Sequence, residues 1–449
     1  MFRNWLFKAL LLLLAAALLA AAPAITAMAA ERDITARIDG RPVHFDVAPQ
    51  INRGRVMVPL KTIADISGAA VHWDEARRTV TVDKGGNRIV LTIGAARATI
   101  NGRPAALDSP AVLVGGRALV PLRFISEALG YGVLWDGSVR RVFLISKLDQ
   151  INLLGPISPV TFPFLQLKDS GALRSITAQT QVHIARTVDI LRTQAITGEM
   201  HFAAMPTYVA ANLYNRGVNL RLVNVSIWGN LFIVGEAGAP LRSLADLKGQ
   251  TLVVPSRGDA PDLVFRYLAA AKGLDIAKDI KIEYVPSPME AAGLLAAGNA
   301  RFAVLSEPAA TSALLRARQE GRTLERLIDL REVWGEATGA AGRIPMAGIV
   351  ALPAVAERDD LIRAFNQAYT EAAAWAAAHP DKMGALAEQG IEGVRAPAAS
   401  SALRFSELRA VPAHAVRQEL EFYFSRLQEL EPNIIGGRLP DARFYWQPQ

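Results

Sequence analysis

The apolar positions of this chain change their period as they run from end to end, and each change marks a part. Residues 9–22 are an unbroken run of Leu and Ala; Arg3 and Lys8 precede it and Ala27-Met28-Ala29 follows. A basic start, an apolar middle and a small-x-small exit are the processing signature of a secretory signal peptide. The uncharged stretch 9–30 approaches membrane-spanning length, with Pro23 interrupting it, so an uncleaved anchor is the alternative.

From residue 33 to 147 the pattern becomes short alternating strands, Gly-containing turns and two short amphipathic helices. Ile38-Asp39-Gly40-Arg41-Pro42 returns as Ile100-Asn101-Gly102-Arg103-Pro104. Gly54-Arg55-Val56-Met57-Val58-Pro59-Leu60-Lys61 returns as Gly116-Arg117-Ala118-Leu119-Val120-Pro121-Leu122-Arg123, and Val71-His72-Trp73-Asp74 as Val133-Leu134-Trp135-Asp136. The offset is 62 in all three cases, so the segment is a duplicated unit. Asp39-Gly40 and Asn101-Gly102 are hairpin turn signals. Leu60, Ile63, Ala64 and Ile66 predict one helix face, repeated by Leu122, Ile125, Ala128 and Leu129, with Gly68 and Gly130 as stops. Trp73 and Trp135 fit either ligand stacking or core packing; recurrence at one point of a repeated unit favours the core.

Beyond residue 150 strands alternate with helices, which predicts an α/β fold preceded by the small α+β repeat domain. Strands are expected over 151–154, 201–205, 220–225, 231–234, 252–254, 301–305 and 346–352. Helices are expected over 188–196, 207–215 with Thr207 as cap, 260–272, 288–298, and in a mostly helical tail over 356–378, 380–388 and 412–430. The stretch Leu252-Val253-Val254-Pro255-Ser256-Arg257-Gly258-Asp259-Ala260-Pro261-Asp262 joins a buried strand to a helix through a sharp turn. Helix N–H groups, a serine hydroxyl and an arginine there would suit an oxyanion; an ordinary β-to-α connection is the alternative.

Composition narrows the chemistry. At 449 residues the chain has room for several cores, and a net charge of +7 without basic-aromatic runs gives no ground for nucleic-acid binding. Cysteine is absent, which excludes disulfides, thiolate ligands, cysteine nucleophiles and lipid attachment at cysteine. No nucleophile elbow, phosphate loop or dinucleotide fingerprint occurs, so no catalytic residues, cofactor or metal are expected. Polar or Pro-containing loops follow several strands: Ser158-Pro159, Met205-Pro206-Thr207, Ser256-Arg257-Gly258-Asp259 and Ser306-Glu307-Pro308. Such loops gather at the carboxyl ends of strands, where α/β sheets bind ligands.

The repeat, with G-R-x-x-V-P-L-[KR] and V-x-W-D each doubled, resembles the copper amine oxidase N-terminal-like domain. The six histidines show no H-x-H or H-x-x-x-H spacing and no Asn-Tyr pair occurs, so the resemblance implies a stalk or surface module rather than oxidase chemistry. The remainder resembles the type 2 periplasmic binding proteins of the nitrate/sulfonate/taurine import class. Gly198-Glu199-Met200-His201-Phe202-Ala203-Ala204-Met205-Pro206 is similar to G-E-x-D-F-A-x-x-P, and Ser243-Leu244-Ala245-Asp246-Leu247-Lys248-Gly249 to S-L-x-D-L-K-G. Leu295 to Ala303 followed by Glu307-Pro308 is similar to L-x-x-G-x-x-D-A with its E-P; His201 and Arg301 replace the usual aspartates.

The chain thus divides into an expected signal peptide over 1–30, a tandem repeat over 31–148 (units about 33–94 and 95–147) and, as the resemblance implies, a two-lobed domain over 149–449. Lobe 1 would hold about 149–235 and 346–449, lobe 2 about 243–342, with hinges near 234–241 and 343–347. Ser158, Pro159, Met205, Pro206, Thr207, Trp228 and Gly229 would face Ser256, Arg257, Gly258, Asp259 and Glu307 across a cleft. Arg257 would pair an oxyanion. Glu307 would meet a ligand amine or cap a helix, and Trp228 would stack on the ligand or fill the core. The implied role is an exported, non-enzymatic solute-binding protein of an ABC importer that delivers a small anionic or zwitterionic solute to a permease and its ATPase. The alternative is a non-transport envelope protein that contacts the cell wall through residues 31–148.

Overall fold

The computed structural model describes residues 33–137, 139–339 and 342–448; the expected signal peptide lies outside them. Two compact units divide these residues. One comprises 42–125 with 33–37 and most of 135–142; the other comprises 38–41, 126–134 and the chain from 143 onward.

In the duplicated segment the turns form as their sequences require. Asp39-Gly40 and Asn101-Gly102 hold positive φ at both residues, 45° and 79°, then 54° and 77°, as tight hairpins demand. Each copy of Val-Pro-Leu ends a strand and starts a helix: Arg55–Pro59 leads into Leu60–Ile66, and Arg117–Pro121 into Leu122–Ala128. The two strands pair antiparallel, with Val58 opposite Val120, Met57 opposite Pro121 and Pro59 opposite Leu119. Val58 therefore faces its own repeat equivalent, and a local twofold passes between them. Met57, Val58, Ile63, Leu119, Val120 and Ile125 form the core of this arrangement, all buried.

Trp73 and Trp135 correct the expectation of core packing: they are 40% and 39% exposed. Both lie on edge strands, Ala70–Asp74 and Tyr131–Asp136, and Ala70–Asp74 has no buried residue. Recurrence at the same point reflects the duplicated plan and not burial.

The second unit holds two α/β lobes. The first sheet runs Thr177–Ala185, Leu148–Pro156, Phe202–Pro206, Ala347–Ala351, Arg221–Ile227, Leu408–Pro412. The second runs Lys281–Val285, Thr251–Pro255, Phe302–Ser306, Leu231–Glu236, Leu324–Asp329. Central strands such as Phe202–Pro206 and Thr251–Pro255 are apolar almost throughout because helices cover both faces. Thr177–Ala185, an edge strand parallel to Leu148–Pro156, is half-buried and mixes Thr and Gln with apolar residues; the sequence pattern does not reveal it.

Ile227 is the last residue of the first sheet and Leu231 begins the second, so the chain crosses at Trp228-Gly229-Asn230. The expected hinge at 234–241 is thus displaced. Val234 lies inside a lobe 2 strand, and the break between the expected strands 220–225 and 231–234 is itself the crossing. The return reaches the first sheet at Ala347.

Candidate functional site

The motif Ser243 to Gly249 explains itself locally. Asp246 accepts hydrogen bonds from the Arg242 and Ser243 backbone N–H groups (2.9 and 2.8 Å), closing a capping box that launches the strand Thr251–Pro255. At the end of that strand Ser256 and Gly258 take positive φ, 53° and 78°, and Asp259 caps the helix Ala260–Ala271 by accepting from the Ala260 N–H at 2.9 Å. Asp262, fully buried, accepts from the Gly258 N–H at 2.8 Å and from the Tyr284 hydroxyl at 3.1 Å.

The groups expected to meet an oxyanion are thus turned to protein partners. Two of the loop's N–H donors, those of Gly258 and Ala260, belong to the protein's own carboxylates. The Ser256 hydroxyl donates to the Pro286 carbonyl at 3.2 Å, and the Arg257 guanidinium lies over the Tyr284 ring at 5.1 Å. Arg257 itself is exposed.

Lobe 1 presents the helix Thr207–Asn215, which follows Met205 and Pro206. Thr207 does not cap it: Pro206 occupies the N-cap, and the buried Thr207 hydroxyl donates to the Pro345 carbonyl at 2.6 Å. That bond ties the helix to the returning segment, since the strand partner of Pro206 is Ala347. The next residue, Tyr208, was not read from the sequence as a site residue. Its hydroxyl donates to the Asp259 carboxylate of lobe 2, joining the two lobes. Burial pushes the Tyr208 phenol well above its ordinary range, and the Asp259 charge adds to the shift. Tyr423, fully buried in the same apolar cluster as Tyr208, packs against Trp334 and Phe424, and its hydroxyl has no hydrogen-bond partner among the described residues.

Glu307 is a cap and an ion pair within lobe 2. It is buried, its Oε2 accepts from the Thr311 N–H at 3.2 Å, and its Oε1 accepts from Arg326, whose Nε lies at 2.9 Å. Arg326 also donates to the Thr311 hydroxyl at 2.7 Å and lies 3.6 Å over the Phe405 ring of lobe 1. Both carboxylate oxygens are taken by protein.

Trp228 is wholly buried at the crossing, with its indole N–H donating to the Arg409 carbonyl at 2.8 Å and the Arg343 guanidinium 4.8 Å over its ring. It fills the core, the alternative to stacking on a ligand. Gly229 has φ 115°, and a Cβ there would meet Arg331 Cγ at 2.3 Å; Arg331 is in turn held by Asp329 with its Nε at 2.9 Å. Ser158 and Pro159 follow the first strand of lobe 1, and the Ser158 carbonyl accepts from the Thr161 N–H at 2.9 Å, a turn leading into the helix Phe162–Ser170. Of the expected site residues the structure brings Asp259 against the helix Thr207–Asn215 through Tyr208. Glu307 and Trp228 it commits to structure.

His201, in place of the usual aspartate, accepts the Asn152 N–H on its Nδ1 at 3.1 Å; burial lowers the pKa of the ring, favouring the neutral form that can accept. Among the described residues no group of three or more His, Asp or Glu side chains is placed to hold a metal, and no helix is long and apolar enough to cross a membrane.

Two α/β lobes joined by two crossings, with strand-end loops facing each other, are the architecture of the type 2 periplasmic binding proteins. An ABC transporter from Parabacteroides distasonis superposes with a TM-score of 0.57 at 22% identity, covering 67% of this chain and 100% of that one. The periplasmic aliphatic sulphonate binding protein of Escherichia coli gives 0.55 at 17% identity, covering 68% and 94%. These likenesses establish the fold. The family model described as menaquinone biosynthesis matches residues 155–426, more than half of the chain, and the chain belongs to that family. A model described as the copper amine oxidase N-terminal domain matches residues 37–144. No curated protein matches the chain.

Proposed function

We propose that the protein captures a small organic solute between its two lobes. The observation that carries this reading is the seam itself: Tyr208 of one lobe and Asp259 of the other meet at the carboxyl ends of their sheets, where such folds place ligands. Closure of the lobes forms that bond and opening breaks it, so a solute with better partners for the same groups shifts the balance toward a loaded, closed form. In an importer this form would be presented to a permease and its ATPase, with export directed by residues 1–30 and the repeat contacting the envelope. Thermal denaturation of the purified protein against small carboxylates, sulfonates, amines and amino acids tests capture; a flat response to every compound would remove it.

The family's description supports a second reading, a step in menaquinone biosynthesis. Cells lacking the gene would then show a reduced menaquinone content, restored by the intact gene; under the capture reading alone the quinone pool is unchanged.

A further inference from the structure

Charge is not spread evenly along this chain. Residues 33–147 hold 16 Lys and Arg against 10 Asp and Glu, whereas residues 148–449 hold 30 against 31. The duplicated segment is therefore basic and the two-lobed part neutral. Pairing does not remove the difference. In the first unit the ion pairs Arg55–Asp108, Lys61–Asp65, Arg77–Asp74, Arg88–Asp83 and Arg117–Asp46 take up five carboxylates. Arg37, Arg53, Arg78, Arg97, Arg103 and Arg123 have no ion-pair partner among the described residues, and all but Arg37 are exposed. Asp33 and Glu75 are unpaired as well, yet with every acid counted the unit has 14 bases against 8 acids. A single exposed arginine is an ordinary solvated side chain; an excess of this size on one small unit makes a field that gathers anions.

Half of that excess belongs to one sheet. Ala70–Asp74, Thr79–Lys84, Asn87–Thr92, Arg97–Ile100 and Arg103–Ala106 form five antiparallel strands, and residues 70–106 hold six bases against three acids. One face of the sheet is core, with Val80, Val82, Ile89, Leu91 and Ala98 buried. On the other face the register sets Thr79 opposite Thr92, and Thr81 and Thr99 on either side of Val90. None of these is buried, and alternation puts Arg97 on the face of Thr99. Arg78 directly precedes the second strand and Arg103 begins the last, so both stand at the margins of this face. The Trp73 ring, 40% exposed on the first strand, adds an aromatic surface at the rim.

We infer that the repeat docks on an acidic polysaccharide of the envelope through this outer sheet face, with Arg97, Arg78 and Arg103 meeting its carboxylates and the threonines its hydroxyls. This rests on the reading that the repeat contacts the envelope, and it names the partner. The side chains decide between a glycan and a lipid surface. A segment that lies on a bilayer needs an apolar face to enter it. Here the exposed face offers hydroxyls, which donate to and accept from sugar hydroxyls, and guanidinium groups, whose forked donors match a carboxylate. Each such pair at the surface is weak alone. A polymer carrying many carboxylates engages several arginines at once and releases the counter-ions it had held, as polyelectrolytes do, so the attachment is cumulative and sensitive to salt.

The test measures binding of the purified full chain to polygalacturonate, to neutral dextran, to duplex DNA and to phosphatidylglycerol vesicles. One variant joins Arg78→Gln, Arg97→Gln and Arg103→Gln; a control joins Lys168→Gln, Lys382→Gln and Arg395→Gln, which remove the same charge from exposed positions of lobe 1. Circular dichroism confirms that both fold. The expected result is preferential binding to polygalacturonate, weakened at least about tenfold as NaCl rises from about 50 to 200 mM. The sheet variant should bind severalfold more weakly and the control as the parent does. Equal losses in the two variants, or binding to DNA or vesicles as tight as to polygalacturonate, would overturn the inference. Dextran binding that ignores salt would overturn it too and leave envelope contact standing. Binding to none of the four would remove both, and solute capture between the lobes would be untouched.

Discussion

Two carboxylates open helices in lobe 2, and they are used in opposite ways. Glu307 is answered inside its own lobe by a guanidinium, so the pair is neutral and complete; its side chain and that of Arg326 are 0% and 10% exposed. Asp259 is answered across the seam by a neutral hydroxyl, and among the described residues no cation is bonded to it. A buried ion pair that is complete resists exchange, since removing one partner strands the other. A carboxylate held by a phenol can trade that donor for a better one. A carboxylate in a β-to-α loop is thus scaffold in one case and exchangeable contact in the other.

The largest test of this difference is Glu307→Ala, which leaves Arg326 buried without its counter-charge; about 3–5 kcal/mol of stability should be lost on urea denaturation. A loss under 1 kcal/mol would show that the pair is not the scaffold described. Asp262→Ala removes the acceptor for Gly258 N–H and the Tyr284 hydroxyl, and about 1–2 kcal/mol is expected by the same measurement. Tyr208→Phe breaks the link between lobes and should cost only about 1 kcal/mol, with increased hydrogen exchange confined to 205–210 and 256–262.

Alkaline titration sharpens the comparison further. The folded pKa of Tyr208 is raised above 10.0, chiefly by burial and then by Asp259, so the native state holds its proton where the unfolded state releases it. Stability from this source is unaffected below the unfolded pKa and falls as pH rises past about 10. Tyr208→Phe should therefore lose less stability between pH 9 and 11 than the parent does; equal slopes would place Tyr208 outside this linkage. The smallest effect belongs to the repeat. Trp73→Ala and Trp135→Ala should each change stability by less than about 0.5 kcal/mol, because exposed edge-strand side chains carry little of the core. A large loss in either would mean that these rings pack after all.

The fold was legible wherever period and punctuation agreed. The 62-residue offset, the Asp39-Gly40 and Asn101-Gly102 turns and the strand-helix alternation after residue 150 all depend on local chemistry, and they stand in the structure as read. The capping role of Glu307 was among the readings its position allowed. What sequence could not supply was direction. Nothing in Ser256 to Asp262 says that two of the helix-start N–H groups will be taken by Asp259 and Asp262, or that Arg257 will lie over Tyr284, because the ring comes from a separate strand. Tyr208 had one local signal, its place directly after Met205-Pro206-Thr207. Tyr423 had none, lying more than 200 residues away in an amphipathic helix that reads as ordinary core. The misplaced hinge has a similar cause: the break between strands 220–225 and 231–234 is visible, but with buried strands on both sides nothing local says that the second belongs to another sheet.

The register of Val58 on Val120 has a consequence for how the repeat holds together. Two identical halves that meet about a twofold normally associate from separate chains, and their partnership weakens on dilution. Here the 62-residue offset ties the halves into one chain, and association becomes the closing of a loop, whose cost grows only slowly with length. The pairing is therefore independent of protein concentration. Each half is also free to drift in sequence without having to remain complementary to itself, as the change from His72 to Leu134 between equivalent strands already shows.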